Sequence, residues 1–311
     1  FAFVPLILIG VAATPVFAVL DRGNSAGFAV PFLLAFAIFL GREPRWASPA
    51  AVVGAALVRP QFVLLALALL AVRQWRRAAA AVAAFASITV ASFALTPGGF
   101  SSALGEWYGR VSSLASVGFG SVASDTPANP SISRSVAATA SVLSDAPASL
   151  GSAGAWLENV VLDNPLIPVA VLVALVAWVF CLAPPGAVPR SVAVVLPLAI
   201  ASLAPGFTPA YYLLFAVVLG ALVLNYSGSD GEQFIEHHAS RWHQVWGWFV
   251  VIAVALSLTP ITLAGDTPSG SLVPRNSLIL ENIGRLWLAV ILVGLAVAIA
   301  RTVVARRSTP A

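Results

Sequence analysis

The sequence predicts an all-α polytopic membrane protein, and three observations on its whole length support that class. Of its 311 residues, 59% are hydrophobic and only 9% are charged, whereas about 25% of residues are charged in soluble domains. Apolar runs long enough to cross a hydrocarbon layer of about 30 Å recur along the chain. The breaks between these runs are rich in Pro, Gly, Ser and Asp, which are typical of turns. We therefore expect a single transmembrane domain over residues 1–311.

The hydrophobic segments are predicted to be helices. In chain order they are Phe3–Leu20, Ala26–Leu40, Ala47–Val72, Ala78–Leu95, Leu166–Leu182, Ser191–Ala204, Tyr211–Leu224, Val245–Leu263 and Leu286–Ala300. The sixteen basic residues are all Arg, and cytoplasmic loops carry an excess of basic residues. The densest group, Arg73–Arg77, is therefore placed in the cytoplasm together with Arg190 and Arg306–Arg307.

This orientation assigns the polar stretches to the two sides of the membrane. The stretch Tyr226–Gln244, which carries three His and Arg241, becomes a cytoplasmic loop. Thr96–Pro165 becomes a long outer loop in which Val136–Leu143 is a candidate short helix, and Ala264–Gly284 lies outside as well. Structureless loops of this length are uncommon unless they are functional.

The segment Ala47–Val72 does not fit a plain crossing. Arginines flank both of its ends, and Arg59-Pro60 lies in its middle. A single crossing would leave one charge at mid-bilayer, which costs at least about 3 kcal/mol. Two half-length helices that rise to Arg59 and return satisfy both ends, and Pro60 supplies the break because it cannot continue a helix. We predict such a re-entrant pair, with a single crossing as the alternative.

Charged and aromatic residues near the predicted outer interface are the candidate binding residues. Besides Arg59, they are Asp21, Arg22, Asn24, Trp107, Tyr108, Arg110, Tyr211 and Tyr212. Arg beside aromatic rings suits a phosphate that carries a sugar. The alternative for each single residue is an aromatic belt with snorkelling Arg. For Arg59, which has no easy route to water, a functional role is favoured.

Other features are assigned no chemistry. His237, His238 and His243 are interpreted as solvated side chains of the cytoplasmic loop, with a metal site as the alternative. Cys181, the single Cys, is interpreted as a packed apolar thiol. The net charge of +4 is small and indicates no nucleic-acid partner. We find no phosphate-cradling glycine loop, zinc Cys pair or nucleophile elbow, and predict no cofactor, with dependence on a divalent metal left open.

Several motifs, in order, resemble glycosyltransferase family 87. They are Gly23-Asn24 before an apolar span, Arg42-Glu-Pro-Arg-Trp46, Gly54-Ala-Ala-Leu-Val-Arg59-Pro60, Arg73-Gln-Trp-Arg-Arg77, Trp107, Asn129-Pro-Ser-Ile-Ser-Arg134, and Leu196-Pro, Ala204-Pro and Tyr211-Tyr212. The resemblance covers roughly residues 20 to 225. It adds Asn129 and Arg134 to the candidate binding residues.

The resemblance implies a GT-C-like transmembrane helix bundle and a polyprenyl-phosphate-mannose-dependent α-mannosyltransferase. Its partners would be a polyprenyl-phosphate-sugar donor, a glycolipid acceptor and membrane lipids, and its active site would face the outer side of the cytoplasmic membrane. The family's general base is an Asp of the first outer loop, which we expect before residue 1. The catalytic residue is therefore left unknown, and Asp21 lies too late in the chain for that role.

Two other classes of function stay open. One is a transporter or flippase of a lipid-linked glycan, which predicts broken spans in paired halves, whereas the sequence shows one broken span. The other is a non-catalytic membrane scaffold. The sequence also departs from the family where Tyr211-Tyr212 replaces the expected aromatic-His pair, which leaves the acceptor contacts undetermined.

Overall fold

The computed structural model describes residues 25–120, 131–145, 147–204, 213–225, 241–258 and 277–308, together with Val16. Every regular element among these residues is a helix. The α-helices are α1 (Val30–Phe39), α2 (Ala47–Val58), α3 (Ala66–Ala71), α4 (Trp75–Ala94), α5 (Gly99–Gly120), α6 (Ile132–Ser144), α7 (Ala148–Asp163), α8 (Leu166–Leu182), α9 (Arg190–Leu203), α10 (Phe215–Asn225), α11 (Arg241–Leu258) and α12 (Ser277–Ser308). Short 3-10 helices cover Ser25–Ala29 and Pro60–Leu65. The all-α class is confirmed for this part of the chain.

Two of these helices are long and apolar enough to cross a membrane, namely α4 and the Asn282–Arg307 part of α12. A third crossing is obtained if Leu150–Asp163 and Leu166–Leu182 are taken together, although the chain bends by 99° between them. Shorter apolar helices account for other predicted segments. The transmembrane character is therefore confirmed, whereas a full polytopic bundle stays a prediction. Apart from Val16, the segment Phe3–Leu20 lies outside the described residues.

Helix α9 forms the centre of the core. All of its residues from Ser191 to Leu203 are buried, as expected for a helix that is apolar on all sides. It contacts the 3-10 helix Pro60–Leu65, α3, α8 and α12. The broken segment therefore packs directly on this central helix.

The polar stretch 96–165 is helical over most of its described length, so the prediction of a long loop was wrong in secondary structure. It contains α5, α6 and α7, and the candidate short helix Val136–Leu143 is the inner part of α6. Ala has the highest helix propensity, and α6 and α7 are rich in it. Polarity alone had suggested a loop, but Ser and Ala on one face of α6 are buried.

Eight exposed or half-buried arginines gather at one end of the bundle, which we call the arginine-rich end: Arg42, Arg45, Arg73, Arg76, Arg77, Arg190, Arg306 and Arg307. Three of them donate to carbonyl oxygens at the C-termini of α1 and α8: Arg190 to Ala37 O and Ile38 O, Arg306 to Leu182 O, and Arg73 to Cys181 O and Ala183 O. Helix C-termini carry partial negative charge, which these guanidinium groups neutralise.

His243 also lies at this end, but it is not a solvated loop residue. It is on the first turn of α11 and is fully buried. Its Nε2 atom lies 3.2 Å from Ser191 Oγ, and its ring packs 5.7 Å from that of Trp246. The interpretation of His243 as solvated was wrong because α11 begins earlier than its apolar run and turns this residue toward α9. His237 and His238 lie outside the described residues.

Candidate functional site

The segment Ala47–Val72 breaks at Arg59, as the sequence predicted. Helix α2 ends at Val58, Arg59 has an extended backbone (φ −145°, ψ 111°), and a 3-10 helix begins at Pro60. The chain then folds back, since α3 contacts α2 and leads to Arg73 at the arginine-rich end. The pair of half-length arms is therefore confirmed, while its re-entrance into a membrane stays a prediction.

Arg59 is placed well away from the arginine-rich end. The twelve residues of α2 rise about 18 Å at 1.5 Å per residue. The side chain is half-buried, and its Nε atom is fully buried. Two residues later, the buried Nε2 atom of Gln61 has no hydrogen-bond partner among the described residues. The break thus brings a guanidinium and an amide donor, both suited to an oxyanion, into the half-buried part of the bundle.

Arg134 is a second candidate binding residue, and it lies on the first turn of α6. Ser131 caps the helix, with its Oγ atom accepting a hydrogen bond of 3.3 Å from Arg134 N. Ile132 is buried in the core, and Ser133 Oγ donates to Pro165 O. The first turn of α6 is therefore held against the start of α8, and Arg134 is half-buried with a buried Nε atom.

Arg285 is a residue that the candidate set did not include. From the early part of α12, its Nη2 atom approaches Ala138 O at 3.5 Å, one turn beyond Arg134 on α6. Like Arg134, it is half-buried with a buried Nε atom. Only the packing of α12 on α6 shows which helix Arg285 approaches.

Trp107 and Tyr108 lie on α5 and are exposed, by 47% and 68%. The ring of Trp107 packs against Phe93 of α4, with centroids 6.3 Å apart. Only Ala78 and Ala81 of α4 are buried, so the end of α4 that bears Phe93 packs little against the core. Arg110 belongs to the same helix, α5.

The other candidate residues lie outside the described part of the chain: Asp21, Arg22, Asn24, Asn129, Tyr211 and Tyr212. Their assignment to the site stays a prediction. Within the described residues, no group of three or more His, Cys, Asp or Glu side chains could hold a metal ion. Of the predicted site, the structure thus locates Arg59 at the break, Arg134 on α6, and Trp107, Tyr108 and Arg110 together on α5.

The fold is that of an all-helical transmembrane protein with a broken apolar segment and half-buried arginines away from its arginine-rich end. The sequence model of glycosyltransferase family 87 matches residues 1–196, more than half of the chain. The chain therefore belongs to glycosyltransferase family 87, and its membership implies a membrane glycosyltransferase. No curated protein and no solved structure matches it significantly.

The matched region contains α1 to α8 and the first half of α9, with both Arg59 and Arg134. Helix α12 with Arg285 follows it. The resemblance read from the motifs is confirmed at the level of the family.

Proposed function

We propose that this protein transfers a mannosyl residue from a polyprenyl-phosphate donor to a glycolipid acceptor on the outer face of the cytoplasmic membrane. Membership of glycosyltransferase family 87 supports transfer of a sugar. The observation that carries the proposal is the break at Arg59, where a half-buried guanidinium lies between two half-length helical arms.

Arg59 is proposed to bind the phosphate of the donor. A guanidinium presents a planar fork of donors that matches two phosphate oxygens at once. Partial burial strengthens such a contact because the local dielectric constant is lower than that of water. Gln61 Nε2, buried and unpartnered among the described residues, is a further donor two residues along the chain.

The orientation is proposed from the distribution of arginines. The arginine-rich end is assigned to the cytoplasm because cytoplasmic loops are enriched in Arg. Arg59, about 18 Å from that end by the length of α2, then lies beyond the middle of a hydrocarbon layer of about 30 Å. Its guanidinium would then bind a donor phosphate that lies deeper in the membrane than the outer lipid headgroups.

The transfer itself is an inverting displacement. The acceptor hydroxyl oxygen bonds to the anomeric carbon as the bond from that carbon to the phosphate oxygen breaks. The electron pair leaves with polyprenyl phosphate, whose added charge Arg59 would stabilise, and a base takes the hydroxyl proton. Within the described residues we assign no group to that base.

The remaining candidates are proposed to shape the outer pocket. Arg134 would contribute charge from α6, and Trp107 and Tyr108, exposed on α5, would contact the sugar or lipid parts of a substrate. The members proposed from the sequence alone are Asp21, Arg22, Asn24, Arg110, Asn129, Tyr211 and Tyr212.

A flippase of a lipid-linked glycan stays the second candidate, because the structure contains a second interrupted apolar segment. Asn164-Pro165 separates α7 from α8, and the two helices are bent by 99°. Broken helices near a substrate are frequent in transporters. A flippase would move the intact lipid-linked sugar across the bilayer without forming a new glycosidic bond.

The test is a transfer assay on the full chain in proteoliposomes. The donor is polyprenyl-phosphate-mannose labelled in the sugar, the acceptor is a mannosylated phospholipid, and the glucose and arabinose donors are run in parallel. We expect a mannosylated product with the wild-type protein and almost none with Arg59→Ala.

The matched control is Arg76→Ala, which removes an exposed Arg at the arginine-rich end and is expected to leave transfer unchanged. Product only from another sugar donor would replace the proposed substrate. Donor movement without product would favour the flippase, and full activity of Arg59→Ala would remove Arg59 from the donor site.

A further inference from the structure

We propose that α7 is an interfacial helix whose exposed apolar flank, formed by Leu150, Ala153 and Trp156, lies among the lipids at the membrane surface opposite the arginine-rich end. The partner of this flank is the headgroup and upper acyl region of a phospholipid leaflet. This role of α7 does not depend on the reaction that the protein catalyses.

Helix α8 gives the direction from which the orientation of α7 follows. Its 17 residues contain no charged side chain, and they rise about 26 Å at 1.5 Å per residue, close to the hydrocarbon thickness of about 30 Å. The C-terminus of α8 lies at the arginine-rich end, where Arg306 donates to Leu182 O. Its first residue, Leu166, therefore lies near the opposite edge of the hydrocarbon layer.

Helix α12 runs beside α8 and marks the same two levels. Arg306 lies at the arginine-rich end, whereas Arg285 Nη2 approaches Ala138 O of α6 at 3.5 Å. The two arginines are about 31 Å apart along the helix at 1.5 Å per residue. Because α6 packs along α7, this helix pair lies at the end of the bundle far from the arginine-rich end.

The bend between α7 and α8 places α7 along the membrane surface. The two helices are bent by 99° at Asn164-Pro165. With the average tilt of about 20° for a transmembrane helix, α7 lies within about 30° of the membrane plane. Ser133 Oγ of α6 donates to Pro165 O, and Ile167 N donates to Asn164 O at 3.0 Å. The bend is therefore held by a neighbouring helix as well as by its own backbone.

One flank of α7 is apolar and exposed. At about 100° per residue, Leu150, Ala153 and Trp156 fall within about 120° of one another around the helix. All three are exposed, and the exposed fraction of Trp156 is 67%. Leu157 and Val160 complete the flank and are half-buried. Trp is enriched where a membrane meets water, and an apolar flank on a helix in the membrane plane is typical of interfacial helices.

The rest of α7 does not suit a position inside the hydrocarbon layer. Asn159 and Ala155 are exposed about 120° and 160° around the helix from Ala153. Glu158 and Asp163 add two carboxylates, which are costly inside a bilayer. Helix α7 contains no basic residue. Burial of its apolar flank, rather than attraction to anionic lipids, therefore holds it at the surface.

A surface position of α7 changes the meaning of the break at Asn164-Pro165. The break becomes the corner between a surface helix and a span, so it no longer supports a flippase. Helix α7 also sets the level of α6, because a Cβ at Gly154 would lie only 2.6 Å from Ser144 N. The first turn of α6, with Arg134, is thereby placed near the lipid headgroups.

The experiment measures the depth of α7 with nitroxide labels on the full chain in phosphatidylcholine proteoliposomes. Cys181→Ser removes the single Cys, and Ala153→Cys or Trp156→Cys introduces one label on the apolar flank. Power-saturation EPR compares the access of oxygen, which concentrates in lipid, with that of a water-soluble nickel complex. We expect both labels to lie about 5–10 Å into the boundary between headgroups and acyl chains.

Ala155→Cys is the matched control, because it replaces the same residue type, also exposed, on the other flank of α7. The ratio of oxygen to nickel access is expected to be at least about tenfold higher for Ala153→Cys than for Ala155→Cys. Leu175→Cys, exposed near the middle of α8, calibrates the bilayer interior. Added phosphatidylglycerol is expected to leave the depth of the Ala153→Cys label unchanged, and immersion that requires this anionic lipid would contradict the proposal.

Three other results would also overturn it. Equal nickel access in Ala153→Cys and Ala155→Cys would leave the apolar flank in water. Equal depth of both labels, near that of Leu175→Cys, would place α7 inside the bilayer as part of a broken span. Exclusion of both reagents from the Ala153→Cys label would mean that protein covers the flank.

These outcomes are separable from failure of the proposed function, since the labels report depth without any substrate. A protein that transfers mannose while the flank of α7 faces water keeps the mannosyltransferase and loses the interfacial helix. A protein with an immersed flank that transfers no sugar does the reverse.

Discussion

The two ends of this bundle use arginine in opposite ways. At the arginine-rich end, Arg73, Arg190 and Arg306 donate to carbonyl groups where α1 and α8 finish. At the other end, Arg59 and Arg134 lie at a chain break and on the first turn of a helix, both with buried Nε atoms. The three arginines at the arginine-rich end thus donate to helix C-termini, whereas Arg134 lies on the positive first turn of α6 and Arg59 interrupts an apolar segment directly after α2.

Because of this difference, we expect arginines at the two ends to contribute differently to the stability and to the function of the protein. A guanidinium at a helix C-terminus completes hydrogen bonds that the helix leaves open, so the arginine-rich end needs no ligand. A guanidinium on the first turn of a helix, as at Arg134, lies near partial charge of its own sign, and that partial charge favours a bound anion. We therefore expect substitutions at the arginine-rich end to change stability, and substitutions at the other end to change binding and transfer.

The largest effect is expected for Arg59. Arg59→Ala should lower kcat/KM for transfer by about 10²–10³-fold, as seen when one preorganised donor to a developing anion is removed. Arg59→Lys should recover part of this loss, since it restores the charge but not the fork. Steady-state kinetics in proteoliposomes measure both. Equal losses of kcat/KM in Arg59→Ala and in Arg42→Ala, which lies at the arginine-rich end, would contradict the proposed difference between the two ends.

The next effect concerns the packing of α7 on α6, the helix that carries Arg134. A Cβ at Gly154 of α7 would lie 2.6 Å from Ser144 N and 2.8 Å from Ala140 O, both backbone atoms of α6. Gly154→Ala should therefore separate the two helices and destabilise the protein by about 1–3 kcal/mol. Thermal unfolding in detergent measures the loss. Gly105→Ala on α5, where a Cβ meets nothing within 4 Å, is the matched control and should cost no stability.

Arg73 allows the backbone and side-chain contributions at the arginine-rich end to be separated. Its φ of 59° is left-handed, and hydrogen bonds from Arg73 N to Leu70 O and from Gln74 N to Leu69 O close a Schellman motif after α3. This position usually holds Gly. The guanidinium donates to Cys181 O and Ala183 O, which compensates for the backbone conformation.

Arg73→Ala should destabilise the protein by about 1–2 kcal/mol through the lost hydrogen bonds. Arg73→Gly should be more stable than Arg73→Ala by about 1 kcal/mol, because Gly adopts the left-handed conformation without strain. Both should transfer sugar at the wild-type rate per folded molecule. Thermal unfolding and the transfer assay are run on the same samples, and a selective loss of turnover would place function at this end too.

The smallest effect is expected at the exposed pair Glu43–Arg45, also at the arginine-rich end. Exposed ion pairs contribute about 0–1 kcal/mol because water and salt screen them. Glu43→Gln should shift the free energy of unfolding by no more than about 0.5 kcal/mol. A larger shift, seen by thermal unfolding at low and high salt, would mean that this end stores more electrostatic stability than its exposure indicates.

Features fixed by local chemistry could be predicted from the sequence. The helix Leu166–Leu182 has the predicted bounds, since a continuous apolar run is flanked by Pro on both sides. The break at Arg59 follows from Pro60, which lacks the N–H that a continuing helix needs. Membership of family 87 could be predicted because its short motifs, in a fixed order, are visible in the sequence without knowledge of the fold.

Features that depend on packing were not predictable. Small residues make stretch 96–165 look like a loop, but they allow α6 and α7 to pack with backbone contact at Gly154. The approach of Arg285 to Ala138 joins residues far apart in the chain. The burial of His243 depends on Ser191 of another helix. None of these pairings leaves a periodic signal in one sequence.

The most direct test of this account is the affinity of the full chain for polyprenyl-phosphate-mannose in nanodiscs without acceptor, so that binding is measured apart from transfer. We predict that Arg59→Ala raises the Kd at least tenfold, whereas Arg76→Ala leaves it unchanged. Equal Kd values for the wild type and Arg59→Ala would contradict the account, because the half-buried guanidinium at the break would then not hold the donor phosphate.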